Sequence, residues 1–231
     1  VPVADQITER LPVTLPLALV AMAGTVLAAL ALGVTAARNH GRPGDWAIMG
    51  GSQLGVAIPA FWLAILLVLL FAVQLRWLPP GGFPGWQDPA AALRALILPA
   101  ASVALVQSAI LARGTRSSIL EVMRLDYART ARAKGLDREK VLRRHVLPNA
   151  LIPIITITGL QFANLVTGTI VIENVFYLPG LGRLIFQSIV NRDLFTVQAL
   201  VLGFAFAVVA VNFLVDVAYL FADPRLRGDA R

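Results

Sequence analysis

The feature that most limits what this chain can fold into is its long uncharged runs. Residues 13–37 hold 25 residues without a charged side chain, and residues 47–75 hold 29. A helix rises 1.5 Å per residue, so either run can cross a hydrocarbon core about 30 Å thick. Residues 95–112 and 150–172 give two shorter uncharged runs, and residues 194–222 give a fifth interrupted only by Asp216. In lipid a backbone must satisfy its own hydrogen bonds, which leaves helices or closed barrels. Runs of this length select helices. The expected fold class is therefore all-α, a polytopic transmembrane helix bundle with five spans.

Composition agrees. Only 14% of the 231 residues are charged and 58% are hydrophobic, with a mean hydropathy of +0.75. A soluble domain averages about 25% charged residues. The chain has no cysteine, which excludes disulfides and thiol chemistry, and its two histidines, His40 and His145, lie too far apart in sequence to suggest a metal cluster. No signal-peptide pattern precedes the first run.

The net charge of +7 raises nucleic acid as a partner, but the positions of the charges argue against it. Fifteen of the 20 lysines and arginines lie in the loop after the first run, in residues 113–149, or after residue 222; five lie in the other loops. This asymmetry is the positive-inside pattern. It places the richer side in the cytosol and surrounds the chain with membrane lipids. The expected divisions are an external segment at 1–12, which can hold a short surface helix over Asp5–Leu11, a membrane domain at 13–222 with a cytosolic loop at 113–149, and a cytosolic tail at 223–231. The tryptophans Trp77 and Trp86, in the loop after the second run, suit a membrane interface.

The loop at 113–149 carries ten of the basic residues. Ile119, Leu120, Met123, Tyr127 and Ala131 recur at spacings of three and four, predicting one helix over Ser117–Lys134 with an apolar face. Gly135 stops it. Asp137 then caps a second helix, with Glu139 in its first turn, and Pro148 ends that helix. The loop is thus helix, turn, helix, tied to lipid at both ends. In the last third, residues 181–190 read as a short amphipathic helix after a Pro-Gly turn.

The run from Asp126 to Pro148, DYARTARAKGLDREKVLRRHVLP, resembles the cytosolic EAA loop of ABC importer permeases. Counted from Gly135, the EAA triplet falls on Arg129, Thr130 and Ala131, the isoleucine on His145, and the Leu-Pro on Leu147 and Pro148. The glycine, leucine and proline match the motif; the glutamate and isoleucine do not. YxRTARAKGL is the form of the dipeptide, oligopeptide and nickel (DppB/OppB-like) branch, which residues 58–63 (IPAFWL), 173–183 (ENVFYLPGLGR) and 223–227 (DPRLR) also resemble. That branch implies a type I importer permease fold with six helices, of which five are expected here, the branch's first helix being the one this sequence lacks.

The resemblance implies a mechanism and partners. A second homologous permease subunit completes the pathway. Two cytosolic ATP-binding subunits dock on the loop and carry the ATP and magnesium, and an extracytoplasmic substrate-binding protein delivers a di- or oligopeptide or related small solute. The chain itself is then no enzyme and needs no cofactor. It has no Walker A sequence, since Lys134 and Lys140, its only lysines, do not follow a glycine. The coupling residues would be Asp126, Arg129, Thr130, Ala131, Gly135, Leu136, His145, Leu147 and Pro148. Gln107, Gln161 and Asn164 are candidates for lining the pathway, Glu173 and Asn174 for meeting the binding protein. The setting implied is a bacterial or archaeal cytoplasmic membrane.

The rival is an ion-driven secondary transporter. It needs acidic residues in mid-span, and Asp216 lies only about 9 Å of helix from the end of its run. A membrane enzyme would need a nucleophile set, paired carboxylates or a metal cluster, none of which occurs at usable spacing.

Overall fold

The computed structural model describes the backbone of residues 2–222; the side chains of Thr167, Asp216 and residues 218–222, and all of residues 223–231, lie outside the described residues. The expectations placed on Asp216 and on the tail therefore fall outside the description. Among the described residues every regular element is helical.

The first helix, α1 (Val3–Arg38), runs unbroken through what sequence divides into a surface segment and a span. Its two prolines do not break it. Pro16 has no N–H, so the carbonyl of Pro12, four residues back, lacks its helical donor. The Trp86 indole Nε1–H donates to that oxygen at 2.8 Å. An interface tryptophan thus satisfies the vacancy that a helix proline creates.

The second run is broken. Helix α2 (Pro43–Ala57) and helix α3 (Ala60–Leu67, continued by a π-helical turn over Val68–Gln74) meet at a 100° bend. Ile58 is extended with ψ 123, as a residue before proline prefers. Of the glycines in α2, Gly55 would place a Cβ 3.1 Å from the Ala109 Cβ, whereas Gly50 and Gly51 face open space.

The run that is shortest in sequence lies at the centre of the bundle. Helix α4 (Pro89–Val122) begins at the Asp88 cap, which accepts from the Ala91 N–H at 3.0 Å, and is buried over most of its span. Pro99 sits inside it without a break. Along α1 a stripe of buried small residues recurs every four positions: Ala21, Thr25, Ala29, Gly33 and Ala37. Small residues let helix backbones approach closely in lipid. A Cβ on Gly33 would lie 2.6 Å from the Thr115 Cβ, so α4 occupies the space that glycine leaves.

Two expectations for the basic loop are corrected. The single helix over Ser117–Lys134 is instead the end of α4, a turn at Met123–Leu125, and a separate helix α5 (Asp126–Ala133). The break turns Ala128 and Ala131 inward to join Ile119, Val122, Val141, Leu142 and Val146 in one buried cluster. Burial of both faces outweighs the local period. Pro148 does not end a helix. Helix α6 (Arg138–Val141) passes through a π-helical turn over Leu142–Val146 into α7 (Leu147–Val175) as one rod. The widened turn accommodates the proline ring and the bond it cannot donate.

Two more helices complete the described residues. They are α8 (Leu181–Val190), short and amphipathic as its sequence predicts, and α9 (Leu194–Ala222). Asp193 caps α9, accepting from the Thr196 N–H at 3.2 Å and its hydroxyl at 2.6 Å. These bonds hold its carboxyl below the ordinary range. Among the described residues four helices are long and apolar enough to cross a membrane, or five with α2 and α3 as one bent span. The described residues counted as cytosolic gather at one end of the bundle, where Arg38 meets Glu139 and Arg116 meets Asp45. The other loops meet at the opposite end, where Trp86 reaches Pro12 and Gly82 N–H donates to Phe176 O.

Candidate functional site

At the basic end, α5, the Gly135 turn and α6 form a compact hook. Gly135 has φ +86, a conformation that costs other residues energy. A Cβ added there would meet nothing within 4 Å among the described residues. Asp137 caps α6, accepting from the Lys140 N–H at 2.7 Å. That bond is the main cause of its lowered pKa.

The hook shows one face and hides the other. Asp126, Arg129, Thr130, Leu136 and Pro148 are exposed. Ala131 is buried in the cluster beneath, and Leu147 packs against it, while His145 is half-buried. The proposed coupling set is thus brought into one element and divided by it: Asp126, Arg129, Thr130, Leu136 and Pro148 face outward, while Ala131 and Leu147 hold the hook to the bundle.

Further bonds fix the hook to α1. Arg38, at the last turn of α1, donates through Nη2 to Glu139 Oε1 at 2.6 Å, and Arg143 reaches the same carboxylate oxygen. Arg138 Nη2 also reaches Ala37 O at 3.5 Å. Beside them Asp45 is buried and held in a fork by Arg116, with Nε to Oδ1 at 2.6 Å and Nη2 to Oδ2 at 2.7 Å. The Gly41 N–H and the His40 ring complete its shell. Sequence alone singles out neither Arg38 nor Asp45. The available signal is a charge at the very end of an apolar run.

At the opposite end the structure corrects the role given to Glu173. Its exposure is 0%, so it cannot meet another protein from this position. Thr14 donates its hydroxyl to Glu173 Oε1 at 2.6 Å, and the N–H groups of Gly182 and Arg183 donate to Oε2 at 2.7 and 3.1 Å. Leu181 N–H donates to Thr14 Oγ1 at 2.8 Å. A carboxylate at a helix N-terminus completes the free amides there. A Cβ on Gly180 would collide with the carboxylate, which is why the turn needs glycine. Asn174 is half-buried and donates to Ile170 O at 2.8 Å. Tyr177 and Pro179 are the exposed residues of this turn; Tyr177 has φ +53, with the Arg183 guanidinium 5.2 Å from its ring centroid.

The amide candidates separate. Gln107 and Gln161 are 8% and 4% exposed, enclosed within this chain, and so are not free to line a path on its surface. Asn164 is exposed and donates to Gln161 Oε1 at 3.0 Å. The Gln161 Nε2 has no partner among the described residues. Among those residues no group of three or more histidine, aspartate or glutamate side chains could hold a metal.

Three comparisons bear on this architecture. Residues 29–228 match the model of a family described as binding-protein-dependent transport system inner membrane component. A Brucella abortus permease protein named for a peptide transport system is 49% identical over 229 residues, covering 99% of this chain and 73% of its own length. The glutathione transport system permease protein GsiC of Escherichia coli K12 is 41% identical over 226 residues, covering 98% of this chain and 72% of its own. Among solved structures, the inward-facing methionine ABC transporter MetNI superposes with a TM-score of 0.78 at 16% identity, covering 94% of this chain and 96% of that one. An amino acid ABC transporter with histidines gives 0.69 at 16%, covering 94% of each.

Proposed function

This chain belongs to the family of binding-protein-dependent transport system inner membrane components, and from that premise we infer that it forms half of a pathway for short peptides or a peptide-like solute such as glutathione. It is the permease subunit of an ABC importer, a multi-pass component of the inner membrane. A second homologous permease supplies the other half of the pathway. Two cytosolic ATPases bind ATP with its magnesium and act on the hook, so this chain needs no cofactor of its own and takes no part in hydrolysis. An extracytoplasmic binding protein delivers the solute at the opposite end. There Tyr177 and Arg183 replace Glu173 as the candidate contacts, with Asn174 behind them. Nucleic acid has no part in this scheme.

The observation that carries the coupling reading is the Gly135 turn. It lies at the motif position, adopts φ +86, and points its open side away from the chain. Asp126, Arg129, Thr130 and Leu136 surround it on the exposed face. A Cβ there has nothing within 4 Å among the described residues, so a larger side chain starts into open space on the side where a partner would dock. The test is Gly135→Trp in the transporter assembled in proteoliposomes with its ATPase and binding protein. Membrane insertion should stay near the parent and the melting temperature should fall only by the backbone strain, about 1–2 kcal/mol, while ATP-driven uptake falls by at least about tenfold. Gly135→Asn, which tolerates this backbone conformation, should retain most uptake. Parental uptake by the tryptophan variant refutes the role. Replacing the driving force is the second arm: uptake that follows an imposed proton or sodium gradient without ATP would favour the secondary transporter.

A further inference from the structure

The basic end carries a cleft that the coupling reading does not use. It measures about 310 Å³ and is lined by His40, Leu120, Met123, Arg124, Arg132 and Arg138. No acidic side chain lines it. Among the described residues none of its three arginines makes an ion pair. Two are held in place by backbone carbonyls at helix ends. Arg132 Nη2 donates to Met123 O at 3.1 Å, just past α4, and Arg138 Nη2 to Ala37 O at 3.5 Å, in the last turn of α1. A guanidinium has five N–H donors, so each keeps most of its capacity for a ligand. His40 is turned toward Asp45 and Arg116, which leaves the arginines as the cleft's charge.

The cleft sits at a definite height. The uncharged run of α1 ends at Ala37. Contacts of Gly24 with Ala104 and of Gly33 with Thr115 set α1 and α4 side by side in parallel, which brings His40 level with the end of α4. The three arginines therefore lie within about a turn or two of helix from the end of the uncharged run of α1, at the end of the bundle that faces the cytoplasmic headgroups. Leu120 and Met123 give the cleft an apolar wall on its membrane side.

We propose that this cleft binds the phosphate of an anionic phospholipid such as phosphatidylglycerol, with Arg124, Arg132 and Arg138 around the phosphate and Leu120 and Met123 against the start of an acyl chain. Basic pockets between membrane helices on the cytoplasmic side suit acidic lipid headgroups. The apolar wall beside the guanidinium groups favours a lipid over an acidic protein surface, which would need no such wall. The site would fasten the turn between α4 and α5 to the bilayer, giving the hook a fixed point from which to be moved. The inference needs only that the chain spans a membrane, and it is independent of the solute carried.

The test is native mass spectrometry of the purified chain in neutral detergent, titrated with phosphatidylglycerol and, separately, with phosphatidylcholine of the same acyl chains. The first phosphatidylglycerol should bind about 20-fold more tightly than the first phosphatidylcholine. Arg124→Ala together with Arg138→Ala should remove that preference and leave phosphatidylcholine binding unchanged. The matching lysine pair keeps the charge and should keep most of the preference, which guards against a folding defect. Lys140→Ala with Arg144→Ala removes the same charge outside the cleft and should change little. Equal binding of the two lipids by the parent overturns the proposal, as does an equal loss in the control pair. Displacement of the lipid by millimolar inorganic phosphate would make this a free-anion site and overturn the lipid assignment. Parental lipid preference in the alanine pair, with lost stimulation of the ATPase partner, would assign the arginines to that protein instead.

Discussion

Thr14 and Glu173 stand 159 residues apart in sequence and 2.6 Å apart in space. Between them they fix three elements: α1 carries the hydroxyl, α7 carries the carboxylate, and the N-terminus of α8 donates to both. Thr14→Val keeps the shape and removes both bonds. The Leu181 N–H and one carboxylate oxygen then lose their partners, at a cost of about 1–3 kcal/mol. Hydrogen exchange of the Leu181, Gly182 and Arg183 amides should speed up at least about fivefold, while Thr14→Ser leaves them near the parent. Unchanged exchange in the valine variant would show that α8 is held by its apolar contacts alone.

The seam between α1 and α4 makes a second prediction. Gly33→Ala places its Cβ 2.6 Å from the Thr115 Cβ and 2.9 Å from the Ala112 carbonyl oxygen. A backbone oxygen cannot step aside as a flexible side chain can, so the helices must separate. Overpacking of this kind costs about 1–3 kcal/mol. Gly50→Ala meets nothing within 4 Å and should be neutral or slightly stabilising, since alanine is the better helix former. Thermal unfolding in detergent compares the two. Equal melting temperatures would deny the close approach.

How far the sequence is legible follows from where the deciding contacts lie. Gly135, Asp137, Leu181–Val190 and the start of α9 depend on neighbours within a few residues, and local signals place them correctly. The turn at Met123–Leu125 is hidden because it serves Val141, Leu142 and Val146 from beyond the next turn. Pro148 reads as a stop because the π-helical turn that accommodates it leaves no local signal. Glu173 reads as a surface residue because its partner Thr14 lies in α1. The period-four stripe from Ala21 to Ala37 is readable in the sequence and marks the most closely packed seam.

Arg38 and Glu139 join the end of α1 to the hook. Both are partly exposed, 39% and 46%, so the pair adds at most about 1 kcal/mol to stability. Its effect should be felt in transmission. Arg38→Glu sets two carboxylates against each other and should lower uptake per ATP hydrolysed several-fold with little change in melting temperature. Arg38→Glu with Glu139→Arg restores opposite charges and should recover most of the loss. A double variant as uncoupled as the single one would mean that the pair does not carry the motion.

Asp45 and Arg116 present the opposite energetic case, because the carboxylate is buried. Its side chain is 5% exposed, and both oxygens are held by the guanidinium fork. Removing the cation strands a buried charge, which costs about 3–5 kcal/mol. Arg116→Ala should therefore lower the melting temperature more than Thr14→Val, Gly33→Ala or Arg38→Glu. Arg116→Lys keeps the charge but cannot reproduce two parallel bonds, so it should fall between alanine and the parent. Asp45→Asn with Arg116→Met removes both charges together and should be milder than Arg116→Ala, since no unpaired ion remains. That order, with the double variant above the single alanine, is peculiar to a buried pair. If Arg116→Ala alone proved as mild as the double variant, water would have to reach Asp45, and the loop between α1 and α2 would not be sealed against α4.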